Sequence, residues 1–112
     1  MRTTTPSSYQ SRPAKRLSIL FSMHDQARHK SLVVELLSRA KHAGLAGATV
    51  FEGAEGYGAS GRVHRTHLMS DDAPVTLVAI DAPDRIDAFL DDVSDLLHDV
   101  LVTVEEVEVV EH

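Results

Sequence analysis

Hydrophobic and polar positions alternate over RLSILFSM, where Leu17, Ile19, Phe21 and Met23 stand against Ser18 and Ser22 and only Leu20 breaks the rule. A period of two predicts a half-buried strand. From about residue 28 the period lengthens. Leu32, Leu36, Ala40 and Ala43 recur every three to four residues, and Val33 and Leu37 widen the stripe. That spacing predicts an amphipathic helix, and Gly44 follows it where a left-handed cap is wanted. Residues 46–53 read as a second strand, residues 54–72 as a long polar loop that is basic in its middle, and PVTLVAID as a third strand. A second helix is expected over residues 83–98. Pro83 suits its first turn, Asp84 and Asp87 complement the positive end of its dipole, and Ile86, Phe89, Leu90, Val93, Leu96 and Leu97 form its buried stripe. In the closing LVTVEEVEVV, Val102 and Val104 alternate first and Val107 and Val109 afterwards. The change of phase at Glu105 and Glu106 suggests a bulge or bend.

The predicted order is β-α-β-β-α-β. Two right-handed crossovers of this kind give an α+β, ferredoxin-like sandwich: a four-stranded antiparallel sheet with both helices on one face. The third strand adds information, because Val75, Leu77 and Ala79 on one side are matched by Val78 and Ile80 on the other. A sheet open to water on one face shows polar residues there. Self-association that covers the second face is the economical explanation.

Composition narrows the possibilities. A chain of 112 residues is one domain, and with no Trp and only three Phe its core must be aliphatic. Residues 1–14 are polar, non-periodic and contain two prolines, so they are expected to form a disordered tail ahead of a domain over residues 15–112. The absence of Cys excludes disulfides, a thiol nucleophile and thiolate metal sites. With no apolar leader and no run near the about 20 residues that a membrane span needs, a cytoplasmic location is expected. Charge is uneven: residues 1–30 carry six Lys or Arg against Asp25, and residues 81–112 carry eleven acids against Arg85. An acidic C-terminal third would repel a phosphate backbone, so nucleic acid is not an expected partner. The aspartates along the second helix (Asp84, Asp87, Asp91 and Asp95) read as a solvated face.

All six glycines fall within GLAGATVFEGAEGYGASGR, residues 44–62. This run resembles the PII signalling superfamily, whose members carry G-x-x-G-x-T-V-x-x-x-x-G-[FY]-G at the base of a mobile T-loop. Gly44, Gly47, Thr49 and Val50 match that pattern, and Gly56, Tyr57 and Gly58 supply its G-[FY]-G element one residue further along. Arg62-Val63-His64, Asp72-Ala73-Pro74-Val75 and the closing LVTVEEVEVV are similar to the PII-like family called domain of unknown function 190 (DUF190). The resemblance covers about residues 16–110. It implies a homotrimer with effector sites in the clefts between subunits and a T-loop over about residues 54–72 that touches a partner: a membrane transporter, a channel or an enzyme.

The same resemblance makes Gly56, Tyr57 and Gly58 candidate ligand-binding residues, since glycine lets backbone N–H groups approach phosphate oxygens. Their simpler reading is a turn out of the strand. Arg62, His64 and Arg65 are candidates for a phosphate or carboxylate, against a reading as ordinary surface charge. Nucleotide-binding PII proteins carry a second Gly- and Lys-rich phosphate loop after the second helix. Here that link reads LLHDVLVT, and Asp99 would repel a triphosphate. The expected effector is therefore a smaller or less charged adenine compound, or a small anion; no cofactor is assigned. His64 and His67 point to opposite faces if they lie on a strand, so no metal site is assigned. No G-x-S-x-G, H-E-x-x-H or Walker loop occurs, and the stretch after the first strand, SMHDQARHK, lacks the glycine of an acylphosphatase-type loop and offers only Arg28, so no enzyme activity is expected. The alternatives are a structural or interaction trimer without effector, or a metal-binding trimer of the copper-tolerance type.

Overall fold

A computed structural model describes residues 9–27, 29–53, 55–57, 63–65 and 73–111. The elements in chain order are β1 (Gln10–Ser22), β2 (Gln26–Ala27), β3 (Lys30–Ser31), α1 (Leu32–His42), β4 (Ala48–Glu52), β5 (Glu55–Tyr57), β6 (Val63–Arg65), β7 (Pro74–Asp81), α2 (Pro83–Val93), a 3-10 turn (Ser94–Leu96) and β8 (Leu101–Glu111). The main sheet has the order β4-β7-β1-β8 and every neighbouring pair is antiparallel. With α1 and α2 as the crossovers, this is the expected ferredoxin-like βαββαβ fold.

The core lies between the sheet and the helices. Leu17, Ile19, Phe21, Val75, Leu77 and Ala79 form its floor, and Leu32, Leu36, Ala40, Ile86, Phe89, Val93 and Leu96 its roof. The floor residues are register partners: Leu17 faces Ala79, Ile19 faces Leu77 and Phe21 faces Val75. Residues between them point to the opposite, open face. That face carries Leu20 of β1, Phe51 of β4, Ile80 of β7 and Leu101 of β8, all exposed. The two-sided apolar character of the third strand is thus real. Ser18 and Ser22, expected on the wet side, are nonetheless buried. Ser18 is a short side chain flanked by Val78 and Thr103 in the register, and the Ser22 hydroxyl shares a hydrogen bond of 2.7 Å with His24 Nδ1.

Several boundaries differ from the sequence expectation. The first strand starts at Gln10, so residues 10–14 of the expected tail are paired, Gln10 with Glu111 through Ala14 with Val107. Polar composition concealed this because the partner strand lies at the other end of the chain; residues 1–8 lie outside the described set. Helix α1 begins at Leu32 rather than near residue 28, because β2 and β3 pair Gln26 with Ser31 and Ala27 with Lys30 ahead of it and Ser31 caps the helix, its hydroxyl accepting from the Val34 N–H. Helix α2 gives way to a 3-10 turn after Val93 instead of continuing to residue 98.

The bulge expected at Glu105 and Glu106 does not form. The β1–β8 ladder runs unbroken from Leu20–Leu101 to Gln10–Glu111. What changes phase is the demand for apolar surface. Val102 and Val104 oppose Ile19 and Leu17 on the helix-covered side, whereas Val107 and Val109 oppose Ala14 and Arg12 on the open face.

Gly44 adopts φ +71°, the left-handed cap that its position predicted. A Cβ there would also lie 3.2 Å from Arg85 Nη2. Gly44→Ala is expected to cost about 1–2 kcal/mol, the usual penalty for a side chain in this conformation. Equal chemical-denaturation midpoints for the variant and the parent would contradict it.

Candidate functional site

The long loop leaves and re-enters the sheet through a tied base. Gly53, just past β4, donates its N–H to the carbonyl of Pro74 at 2.7 Å. A Cβ on residue 53 would come within 3.0 Å of Pro74 Cγ, so the close approach explains this glycine. On the other side Met23 donates to the carbonyl of Ala73 at 2.9 Å. Ala73 is fully buried, and Ser22 is the register partner of Pro74. The returning end of the loop is therefore held to the end of β1, and the departing end is held to the returning one.

Beyond this base the chain forms a separate two-stranded ladder of β5 and β6. Glu55 pairs with Arg65, Gly56 with His64 and Tyr57 with Val63. Of the six sequence candidates, this hairpin brings together four: Gly56 and Tyr57 on β5, and His64 and Arg65 on β6. Gly56 and His64 lie directly opposite each other. Gly58 and Arg62, like His67 and Asp72, fall outside the described residues.

The tie on the β1 side is a small polar knot that sequence reading had passed over. Asp25 Oδ2 accepts from the Ser22 N–H at 2.8 Å, its own N–H donates to the Ser22 carbonyl at 3.0 Å, and its carbonyl accepts from Leu32 N–H at 2.9 Å. One turn thus fixes the end of β1, the return of the loop and the start of α1. The only signal available was an Asp three residues after a Ser at a strand end, a side-chain-to-backbone turn pattern.

A second knot anchors the start of the glycine run. Asp81, nearly buried at the end of β7, accepts from Ala46 N–H at 2.8 Å and from Ala82 N–H at 2.7 Å. Arg85 Nε lies 3.3 Å from the same carboxylate, and Arg85 Nη2 donates to the Gly44 carbonyl. Burial alone would raise the Asp81 pKa, but the two backbone donors and the Arg85 guanidinium outweigh it and hold the carboxyl below its ordinary value. The spacing D-x-x-x-R across a helix start was the available signal.

The link between the 3-10 turn and β8 is short, and Asp99 sits in it at φ 57°, a conformation that Asp tolerates better than most residues. It has neither Gly nor Lys. A separate cleft of about 610 Å³ opens between the β1–β8 ribbon and the first turn of α2. Its walls include Lys15, Glu106 and Glu108, and Lys15 Nζ is engaged by Asp87 Oδ1 at 2.8 Å. These carboxylates make it a poor seat for a polyphosphate, and it contains none of the sequence candidates.

Comparison with known proteins agrees with this geometry. The family model described as "Uncharacterized ACR", DUF190, matches residues 14–109. A UPF0166 protein of Aquifex aeolicus (strain VF5) is 35% identical over 99 residues, covering 86% of this chain and 93% of the relative. Among solved structures, CPII of Thiomonas intermedia K12, a nitrogen regulatory PII-like protein bound to ADP, AMP and bicarbonate, superposes with a TM-score of 0.69 at 23% identity, over 89% of this chain and 91% of that one. A PII-like signalling protein from Thermus thermophilus gives a TM-score of 0.67 at 20% identity, over 88% of this chain and 91% of that one. The fold is that of the PII-like proteins, and the chain belongs to the DUF190 family.

Proposed function

We propose that this protein is a PII-like regulator that works as a homotrimer. A small effector binds in the clefts between subunits, and the loop of residues 54–72 carries its state to a partner protein. The observation that carries this reading is the loop base. Backbone hydrogen bonds at Gly53–Pro74 and Met23–Ala73 tie the start and the return of this long excursion to the sheet, and among the described residues Glu55–Tyr57 pair with Val63–Arg65 beyond that base. A firm base at the sheet suits a loop whose conformation a ligand sets. The fold supports the reading, because CPII was solved with ADP, AMP and bicarbonate. The exposed apolar residues Leu20, Phe51, Ile80 and Leu101 on the open face support self-association.

The effector class follows from charge. Gly56, Tyr57, Gly58, Arg62, His64 and Arg65 supply backbone donors and cations, whereas the link bearing Asp99 opposes a third phosphate. The effector is accordingly an adenine mono- or diphosphate or a small anion such as bicarbonate, and ATP binds less well. Nothing in this arrangement asks for a catalytic group.

A thermal-shift screen tests it. At 100 times its dissociation constant a ligand should stabilise the protein by about 2.7 kcal/mol. AMP, ADP or bicarbonate should raise the midpoint, and ATP should raise it less. Gly58→Val should abolish the shift and leave the trimer intact in light scattering. No shift with any of these compounds would sink the sensor reading; a monomeric mass would sink the intersubunit site.

A further inference from the structure

The open sheet face carries charge as well as apolar surface, and the charge comes in matched pairs. Arg16 stands in register between Ile80 of β7 and Glu105 of β8. Its Nε and Nη2 both donate to Oε1 of Glu105, at 3.1 and 2.7 Å. Four residues back along β1, and so on the same face, Arg12 Nε meets Glu111 Oε1 at 2.9 Å. The Arg16–Glu105 pair borders the apolar patch, and its side chains are still 45% and 54% exposed.

The pair leaves capacity unused. A guanidinium has five N–H donors and a carboxylate about four acceptor sites. Two donors converge on Oε1, so Arg16 Nη1 and Glu105 Oε2 take no part in this contact. Whatever covers Leu20, Ile80 and Leu101 must come close to both charges. An apolar cover would strip their water without replacement, which is costly. A cover of a single sign would satisfy one charge and repel the other. A second copy of the same face offers both signs at the same spacing.

We infer that Arg16 and Glu105 are shared between copies of this chain: Arg16 of each subunit donates to Glu105 of its neighbour as well as to its own. In a cyclic assembly this closes a ring of alternating charge beside the apolar patch, and it sets which rotation of the subunits fits. The inference rests on the self-association proposed above and assigns the residues that give it direction.

Complementation between variants tests it. Arg16→Glu makes both positions acidic, and Glu105→Arg makes both basic. Each breaks the pair within the chain, so any rescue on mixing must come from contacts between chains. With far-UV circular dichroism confirming that both fold, each variant alone should dissociate at least tenfold more readily than the parent. The equimolar mixture should recover particles containing both variants in native mass spectrometry. If a charge-reversed chain does not fold, Arg16→Gln and Glu105→Gln should each still loosen the trimer several-fold. Neutral variants that associate as tightly as the parent overturn the inference. So do charge-reversed variants that assemble normally alone, or a mixture that assembles no better than its components. A parent protein that is monomeric removes the trimer itself, a separate outcome.

Discussion

Phe89→Ala is expected to remove much of the stability of this fold. Phe89 is 1% exposed and heads the fully buried side chains by size. It projects from α2 into the cluster formed with Leu17, Ile19, Leu36, Leu77 and Ile86. Truncation forfeits the transfer free energy of the ring and leaves a cavity that the surroundings fill only partly. Such replacements cost about 3–5 kcal/mol. A domain of this size has about 5–15 kcal/mol in all. The chain has no Trp and three Phe, of which Phe51 lies on the open face, so the core has little aromatic bulk with which to refill the space. Urea unfolding at fixed protein concentration should show a lower midpoint at an unchanged slope. A loss below about 1 kcal/mol would mean that α2 settles onto the sheet, and that packing here is looser than the burial indicates.

Asp81→Ala is expected to cost nearly as much, by a different route. The carboxylate satisfies the N–H groups of Ala46 and Ala82 and pairs with Arg85, which in turn holds the Gly44 carbonyl. Each buried group left unpaired costs about 1–3 kcal/mol. The effect has a pH signature. The folded-state pKa of Asp81 lies below the ordinary 3.8, so its contribution is complete above that value and fades as pH falls through the lowered one. Other carboxylates titrate in the same range, so the informative quantity is the gap between the parent and Asp81→Asn. The gap should be widest near neutrality and close on acidification below about pH 4. A gap that stays constant down to about pH 2 would show that the carboxylate contributes shape and not charge.

These two residues also show where sequence reading succeeds and where it stops. Phe89 was legible because a helix repeats every 3.6 residues, and its stripe with Ile86 and Val93 is a local property of the string. The Asp81 knot was legible only in its local half, the D-x-x-x-R spacing to Arg85; its tie to Ala46 joins residues 35 positions apart through a backbone N–H that carries no side-chain signature. The solvated face assigned to Asp84, Asp87, Asp91 and Asp95 is exposed in the structure, but the cations that Asp87 and Asp95 approach there, Lys15 and Arg39, were not legible in the sequence. Only proximity in space could reveal those partners.

The candidate site divides in the same way. Gly56, Tyr57, His64 and Arg65 were singled out by their types and order. That Gly56 stands opposite His64, and Glu55 opposite Arg65, is a matter of register, which needs both strands at once. The tie of Gly53 to Pro74 belongs to the same class: the sequence marks a glycine, and the approach of a proline ring from the far end of the loop explains it.

From the order of residues alone come the six main elements, their sequence along the chain and the faces of the two helices, because these depend on periodicities of two and 3.6 that neighbours in the chain express. The reach of the first strand back to Gln10, the unbroken ladder at Glu105 and Glu106, and the meeting of Arg16 with Glu105 were decided by tertiary structure. Each depends on a partner far along the chain, and a polar residue looks the same in a tail, a bulge or a paired edge until that partner arrives.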